Sequence, residues 1–206
     1  MTLVCSDLSI IDENSKKTHE SIRDIRKRII YKSGYGLAKD LLISNFVTGC
    51  AMIVRKDIAL KGMPFLDELV HDQWIAIIAA LNGKIEFVDE RLVRYRQHSD
   101  NQTGILKDVY DKESYYKKRI HDFYYRYVAY KKRLASFDEL RNYIENSIKW
   151  IEARKNYSTR VSIKDLKIMI KYRDCHKVSI LIEIVLPFIP NFIFKYIIKL
   201  AKKGML

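Results

Sequence analysis

Short apolar runs separated by polar turns make up the first hundred residues of this 206-residue chain. Short runs bounded by turn residues are typical of buried strands, whereas an apolar residue at every third or fourth position is typical of a helix. On this basis we expect strands at residues 2–6 and 50–54 and a short helix at residues 37–43. The polar stretch 12–15 is typical of a turn.

A better-defined helix is predicted around Asp72. Four apolar side chains recur there at the spacing of one helical face. They are Trp74, Ile77, Ile78 and Leu81. Asn82 followed by Gly83 is a stop signal, and residues 85–88 and 92–95 are then predicted to be strands separated by a polar turn. This order of strand, helix and strand indicates an α/β sheet layer and not a helical bundle.

After Gly104 the pattern changes to that of basic amphipathic helices. The first predicted helix has an apolar stripe whose members are three or four residues apart. The stripe comprises Tyr116, Ile120, Phe123, Tyr127, Tyr130 and Leu134. Ser136 with Glu139 matches a capping box, which predicts a second helix and therefore a helical hairpin.

Ser162 with Asp165 is predicted to cap a third helix. The change of pattern divides the chain into two predicted parts. Residues 1–104 form the α/β part, and residues 105–206 form a basic α-helical C-terminal extension.

The formal net charge of +13 is concentrated after residue 106. Such a charge attracts anionic lipid headgroups, phosphorylated substrates or nucleic acid. The aromatic residues among the basic ones fall on one helical stripe, as in a packed helix, so nucleic acid is not the expected partner. Three widely spaced cysteines form no CxxC pair, which indicates neither a zinc site nor a disulfide framework and fits a reducing cytosol.

Residues 178–200 are apolar over about the length that crosses a bilayer. Glu183, Lys195 and two prolines oppose a membrane span. We favour two short segments lying in the membrane interface with lysines facing anionic headgroups, and the alternative is a core-packed helical tail. The lysines are Lys195, Lys199, Lys202 and Lys203. With no secretory signal at the start, we expect a cytoplasmic protein, peripheral at the inner face of the cell membrane.

Asp72 is the strongest candidate for chemistry. The unpaired amides and the dipole at a helix start stabilise an ionised carboxylate, which can accept the proton of an attacking hydroxyl. Asp is also common at helix starts for structural reasons. His98 follows a predicted strand and is either a ligand contact or a solvated loop residue. Trp74 fits core packing better than stacking on a sugar, and His71 has no ligand spacing to other histidines.

Three stretches together resemble the second half of family-2 glycosyltransferases, especially the bacterial rhamnosyltransferase-like enzymes that build surface polysaccharide. They are MTLVCSDLSIIDENSKK (1–17), SNFVTGCAMIVRKD (44–57) and HDQWIAIIAALNGKIEFVDERLVRYRQHSDNQTG (71–104). The resemblance implies a partial GT-A-type, Rossmann-like sheet layer. It also implies transfer of a sugar from a nucleotide-sugar to a hydroxyl of a surface-polysaccharide or lipid-linked glycan acceptor, with inversion at the anomeric carbon.

The same resemblance suggests roles for individual residues. Asp72 matches the proposed catalytic base, and His98 matches a further metal or diphosphate contact, where imidazole suits Mn²⁺ better than Mg²⁺. Asp7 matches a recurrent position to which we assign a structural role. The substrate-binding positions are Asn45, Thr48 and Gly49, in a loop beneath the acceptor sugar, and Gln97 and Asn101, which shape the pocket.

In that family an Asp-x-Asp motif carries the divalent metal against the donor diphosphate, and no such motif occurs in this sequence. No glycine-rich phosphate loop follows a strand either. We therefore expect the acceptor half of such an enzyme without its donor half. Mn²⁺ or Mg²⁺ is expected if a complete site is assembled and otherwise no cofactor, with a separate donor-binding chain as a possible partner. The alternative is a non-catalytic remnant or partner subunit with a membrane-binding tail.

Overall fold

The structure is a computed structural model that describes residues 1–27, 29–97, 108–172 and 180–202. It divides into two units, Met1–Gln102 and Thr103–Leu206. The first unit contains the sheet, and the second is helical in its described residues. Among the residues that the structure describes, no helix is long and apolar enough to cross a membrane.

One buried strand, β1 (Leu3–Ile11), is the centre of the first unit. Within the described residues, four strands form a single mixed sheet. β1 pairs antiparallel with β2 (Lys17–His19) and with β3 (Met52–Val54), and it pairs parallel with β4 (Ile85–Arg96). The predicted α/β class with a sheet layer is therefore confirmed.

The turn predicted at Asp89 and Glu90 is wrong. The two strands expected around it are one continuous strand, β4. At this point the pairing partner on β4 moves from Val88 to Arg91 in a single step along β1. The extra residues bulge from the ladder while the parallel pairing continues on both sides, so the chain does not reverse. A polar pair between two apolar runs is compatible with either a bulge or a turn. Here β1 pairs with β4 on both sides of the polar pair, so a bulge forms.

A buried carboxylate lies where β1 extends beyond the predicted residues 2–6. Asp7 is fully buried, and it accepts hydrogen bonds from the Leu8 N–H (2.8 Å), the Ser21 hydroxyl (2.7 Å) and the Arg23 guanidinium (2.9 Å). Burial by itself would raise the pKa of Asp7, but these hydrogen bonds and the Arg23 charge together lower it below its usual value. The contacts agree with the structural role predicted for Asp7.

Helices pack around this sheet. α1 (Ala38–Ile43) confirms the helix predicted at residues 37–43, and α2 (Lys56–Lys61) follows β3. α3 (His71–Asn82) confirms the helix predicted around Asp72, and it packs against α1, α2 and β1. Most of α3 is buried, because these neighbours cover it on several sides.

The apolar face of α3 is part of the core, as its spacing predicts. Trp74 is 1% exposed, and its indole N–H donates to the carbonyl oxygen of Gly62 at 2.6 Å. The expectation of core packing is therefore confirmed over stacking on a sugar. The helix ends at Gly83, where a Cβ atom would lie 2.8 Å from Cγ2 of Thr2. The stop residue thus also packs closely against Thr2, the residue before β1.

The described residues of the second unit form helices joined by short connections. α6 packs against α5 after a brief turn, which confirms the predicted hairpin. The elements are α4 (Lys112–Tyr116), a π-helical stretch (Lys117–His121), α5 (Asp122–Arg133), α6 (Asp138–Thr159), α7 (Ile163–Lys171), α8 (Ile180–Val185) and α9 (Asn191–Lys202).

The π-helical stretch displaces the buried stripe that the sequence predicts. The predicted members Tyr116 and Phe123 are partly buried, whereas Tyr115 and Ile120 are buried. The step from Tyr115 to Ile120 is five residues, which is the hydrogen-bonding step of a π-helix. Beyond it, Tyr127 and the later members of the stripe are buried as predicted.

One of the two predicted helix caps is present. The Ser162 hydroxyl accepts a hydrogen bond from the Asp165 N–H at the start of α7, at 3.4 Å. The capping box predicted at Ser136 and Glu139 is wrong. Ser136 still belongs to the turn after α5, and Phe137, the residue at the cap of α6, makes no side-chain cap hydrogen bond.

A buried ion pair connects α8 to α6. The side chains of Arg154 and Glu183 are 4% and 3% exposed, and Nε of Arg154 donates to Oε2 of Glu183 at 2.5 Å. The Tyr115 hydroxyl donates to the same carboxylate at 3.1 Å, and Arg154 also donates to the carbonyl oxygen of Arg119 at 3.0 Å. Glu183, whose charge opposes a membrane span, is therefore a core residue of the helical unit.

We predict that Glu183→Gln lowers the free energy of unfolding of the helical unit by about 3–5 kcal/mol, because it leaves the Arg154 guanidinium buried without a counter-ion. Hydrogen exchange of α6 peptides measures this loss. The matched control is Glu145→Gln, which breaks an exposed pair with Lys131 and should cost less than about 1 kcal/mol. Equal losses in the two variants would show that the buried pair does not hold α8.

We predict that Asp7→Asn lowers the free energy of unfolding of the first unit at pH 7 by about 1–3 kcal/mol. The folded pKa of Asp7 lies below its unfolded value of about 3.9. The unfolded state therefore binds more protons in acid, and the contribution of Asp7 is lost as pH falls through the folded pKa. The difference in free energy of unfolding between Asp7→Asn and the unmodified chain should have its full size above about pH 4 and should shrink below that pH.

Urea unfolding followed by Trp74 fluorescence, with Trp150→Phe in every protein compared, gives these free energies. Asp89→Asn is the control, because Asp89 contacts the same arginine, Arg23, from an exposed position. A difference between Asp7→Asn and the parent that stays constant down to pH 2 would contradict the assignment.

Candidate functional site

Asp72 lies in the first turn of α3, as predicted, and is half-buried. Its Oδ2 accepts a hydrogen bond from the Gly49 N–H at 3.0 Å, and its Oδ1 accepts one from the Asn45 side-chain amide at 3.1 Å. Both donors come from the loop between α1 and β3. The structure therefore brings the predicted site residues Asn45 and Gly49 to Asp72, which is more than twenty positions away from them in the sequence.

The loop that holds Asp72 is itself well supported. Oδ1 of Asn45 accepts a hydrogen bond from the Val47 N–H at 3.0 Å, which leaves its amide nitrogen directed at Asp72. Phe46 and Val47 are buried beneath the loop. The following residues form a 3₁₀ turn (Gly49–Ala51) that leads into β3. Fixed donors of this kind hold a carboxylate in one orientation.

A glycine at position 49 suits the close packing between this turn and α3. A Cβ atom on Gly49 would lie 2.9 Å from Nε2 of His71 and 3.6 Å from Oδ2 of Asp72. A side chain there would displace the imidazole or move the amide away from the carboxylate. The Gly49 backbone thus lies close to the start of α3, where its N–H bonds to Asp72.

The arrangement leaves Asp72 able to act as a base. An ionised carboxylate has about four lone-pair sites, and Gly49 and Asn45 account for two of them. Because the side chain is half-buried, a hydroxyl group from solvent or from a ligand can reach the remaining sites. A hydroxyl that donates a hydrogen bond to one of these sites would lie within the distance that general-base catalysis requires.

His71 and Cys50 flank the carboxylate, and our sequence analysis did not select them. Both are exposed, and each is adjacent in sequence to a predicted site residue. Desolvation of the Cys50 sulfur and, less strongly, the negative charge of Asp72 raise the pKa of the thiol, so Cys50 is protonated at neutral pH. The signal that could have identified His71 is its position at the start of α3, beside Asp72.

The side-chain hydrogen bonds described for Asp72 come from Asn45 and Gly49, and the other predicted residues are placed as follows. Thr48 precedes the 3₁₀ turn and makes no side-chain cap hydrogen bond there. The Gln97 N–H donates to the carbonyl oxygen of Ile11 at 2.8 Å, at the end of β4. His98 and Asn101 lie outside the described residues.

The described residues do not form a metal centre. Within residues 1–27, 29–97, 108–172 and 180–202, no group of three or more His, Cys, Asp or Glu side chains is placed to hold a metal ion. The donors around Asp72 are amide N–H groups, which bind carboxylates and not cations. We therefore assign no step of a reaction at Asp72 to a metal ion.

Comparisons with known proteins give no relative from which a function could be transferred. No protein-family model matches the chain, and neither a curated protein nor a solved structure matches it. What the protein does is therefore inferred from the geometry around Asp72 and from the sequence motifs.

Proposed function

We propose that this chain supplies the acceptor side of an inverting glycosyltransferase of the family-2, GT-A type, with Asp72 as the general base. The observation that carries the proposal is the pair of hydrogen bonds from Asn45 and Gly49 to the Asp72 carboxylate. The motifs that resemble the family assign all three residues to the acceptor side. Their convergence supports that assignment, because the local sequence does not require these contacts.

In the proposed reaction an acceptor hydroxyl donates a hydrogen bond to Asp72. Its oxygen attacks the anomeric carbon of the donor sugar as the bond from that carbon to the nucleotide diphosphate breaks. The diphosphate leaves with the bonding electron pair, and Asp72 takes the hydroxyl proton. A single displacement of this kind inverts the anomeric carbon. Asn45 and Gly49 keep the carboxylate oriented throughout.

The proposed substrates are a nucleotide-sugar and a hydroxyl of a surface-polysaccharide or lipid-linked glycan. Binding of the donor diphosphate, with Mn²⁺ or Mg²⁺, needs carboxylates that this sequence does not provide as an Asp-x-Asp motif. We propose that a separate donor-binding chain supplies them. The competing proposal is a non-catalytic partner subunit that keeps the same fold.

We predict that the purified chain transfers label from nucleotide-sugars to a lipid-linked glycan extract when cell membranes from its source are added. A general base contributes about 100- to 10,000-fold to the rate, so Asp72→Asn should reduce transfer by that factor. The assay uses radiolabelled uridine- and thymidine-diphosphate sugars with Mn²⁺. Thermal unfolding of each variant, followed by circular dichroism, checks that loss of transfer is not loss of folding.

Asp57→Asn is the matched control, because Asp57 is also a carboxylate in the first turn of a helix but pairs with Arg55 at the surface. It should transfer label at the rate of the unmodified chain. Equal transfer by Asp72→Asn would remove Asp72 as the base. Absence of transfer by the folded, unmodified chain in the presence of the added membranes would favour the non-catalytic subunit.

A further inference from the structure

α8, α9 and the 3₁₀ turn between them (Leu186–Phe188) leave large apolar side chains in solvent. Seven of these side chains lie within residues 181–196, and the six most exposed are between 52% and 76% exposed. We call this set the tail face. It consists of Leu181, Ile182, Val185, Phe188, Phe192 and Tyr196.

Each of the two helices buries its opposite side. In α8, Glu183 is buried in the pair with Arg154, whereas Leu181 and Ile182 are exposed. In α9, Phe194 and Ile198 are buried, and Phe192 and Tyr196 lie about 200° around the helix from them. The buried sides therefore fix the helices to the second unit, and the tail face is held outward by the fold. The inner sides of α8 and α9 thus match the core-packed alternative predicted for the tail, while their outer sides remain exposed.

Positive charge borders this apolar set. Lys195, Lys199 and Lys202 are exposed and recur at the spacing of one helical stripe, beside Phe192 and Tyr196. The sequence after Glu183 contains no Asp or Glu, and Glu183 is neutralised by Arg154. Asp111, at the N-terminal cap of α4, interacts electrostatically with Lys195. The outer side of α9 therefore carries aromatic rings and an excess of positive charge. Lys203, the fourth predicted lysine, lies outside the described residues.

We propose that the tail face docks on an anionic lipid bilayer, with α8 and α9 lying in the interface. Exposed aromatic and aliphatic side chains next to a stripe of lysines are the composition of helices that bind in this way. At 12 residues α9 is roughly 18 Å long, shorter than the hydrocarbon core of about 30 Å, so it lies along the surface.

A second copy of the chain fits this face less well than lipid does. A two-fold interface places the same patch of both copies together, which would bring the two lysine stripes close to each other. Like charges in contact oppose association, whereas anionic headgroups complement them. The inference is independent of the transferase proposal, because lipid binding is measured without any transfer reaction.

We predict that the full chain cosediments with vesicles of phosphatidylcholine and phosphatidylserine, and far less with vesicles of phosphatidylcholine. The double variant Phe192→Ser with Tyr196→Ser should lower the partition coefficient about tenfold or more, because two inserted rings are lost. Each lysine near an anionic surface contributes about fivefold. Removing three should weaken binding on the order of a hundredfold, and the variant is Lys195→Gln with Lys199→Gln and Lys202→Gln.

Helix α7 provides matched controls on the same unit, since it also has exposed apolar and basic side chains. One control is Ile163→Ser with Ile170→Ser. The other is Lys164→Gln with Lys167→Gln and Lys171→Gln, which removes the same amount of charge as the triple variant of α9. Both should bind vesicles nearly as well as the unmodified chain, and circular dichroism should show all variants equally folded.

Three results would overturn the proposal. The first is failure of the folded, unmodified chain to bind phosphatidylserine vesicles. The second is an equal loss of binding in the α7 and α9 variants, which would indicate attraction to the basic chain in general. The third is a dimer in sedimentation velocity that Phe192→Ser with Tyr196→Ser dissociates while vesicle binding is unchanged, which would make the tail face a contact between copies.

Discussion

The burial of the Asp7 carboxylate within β1 is the interaction on which the first unit depends. A charge in the middle of a buried strand is tolerated because Ser21, Arg23 and the Leu8 N–H satisfy it. Arg23 also contacts Asp89 in the bulge of β4, so the carboxylate is linked to the neighbouring strand. β1 pairs with every other strand described, and α3 packs on it. The position of Asp72 therefore depends on a polar contact inside the sheet.

The groups around Asp72 come from two separate segments of the chain. α3 supplies the carboxylate, and the loop before β3 supplies the donors from Asn45 and Gly49. A base that is oriented in advance needs little reorganisation when a hydroxyl arrives. The hydrogen bonds from Asn45 and Gly49 to Asp72 also connect the loop to the helix. The proposed catalytic role of Asp72 therefore depends on this loop as well as on α3.

In the helical unit the pair of Arg154 and Glu183 has the corresponding role. It fixes α8 to α6 and recruits Tyr115 from the first helical run. With the inner sides of α8 and α9 committed to the core, their outer sides keep large apolar groups in solvent. Exposed apolar groups next to lysines are costly in water and favourable at an anionic bilayer. The helices α8 and α9 can therefore contribute both to folding and to the proposed membrane binding.

The sequence by itself determined the features that depend on neighbours along the chain. These include α3 with its apolar face, the hairpin of α5 and α6, the cap at Ser162 and the division into a sheet-containing part and a helical part. Tertiary structure decided the continuity of β4, the five-residue step from Tyr115 to Ile120 and the partner of Glu183. It also decided which predicted site residues meet, bringing Asn45 and Gly49 to Asp72. The physical reason is that periodicity and capping are local, whereas partners for buried charges and for strands come from distant segments whose contacts no local pattern specifies.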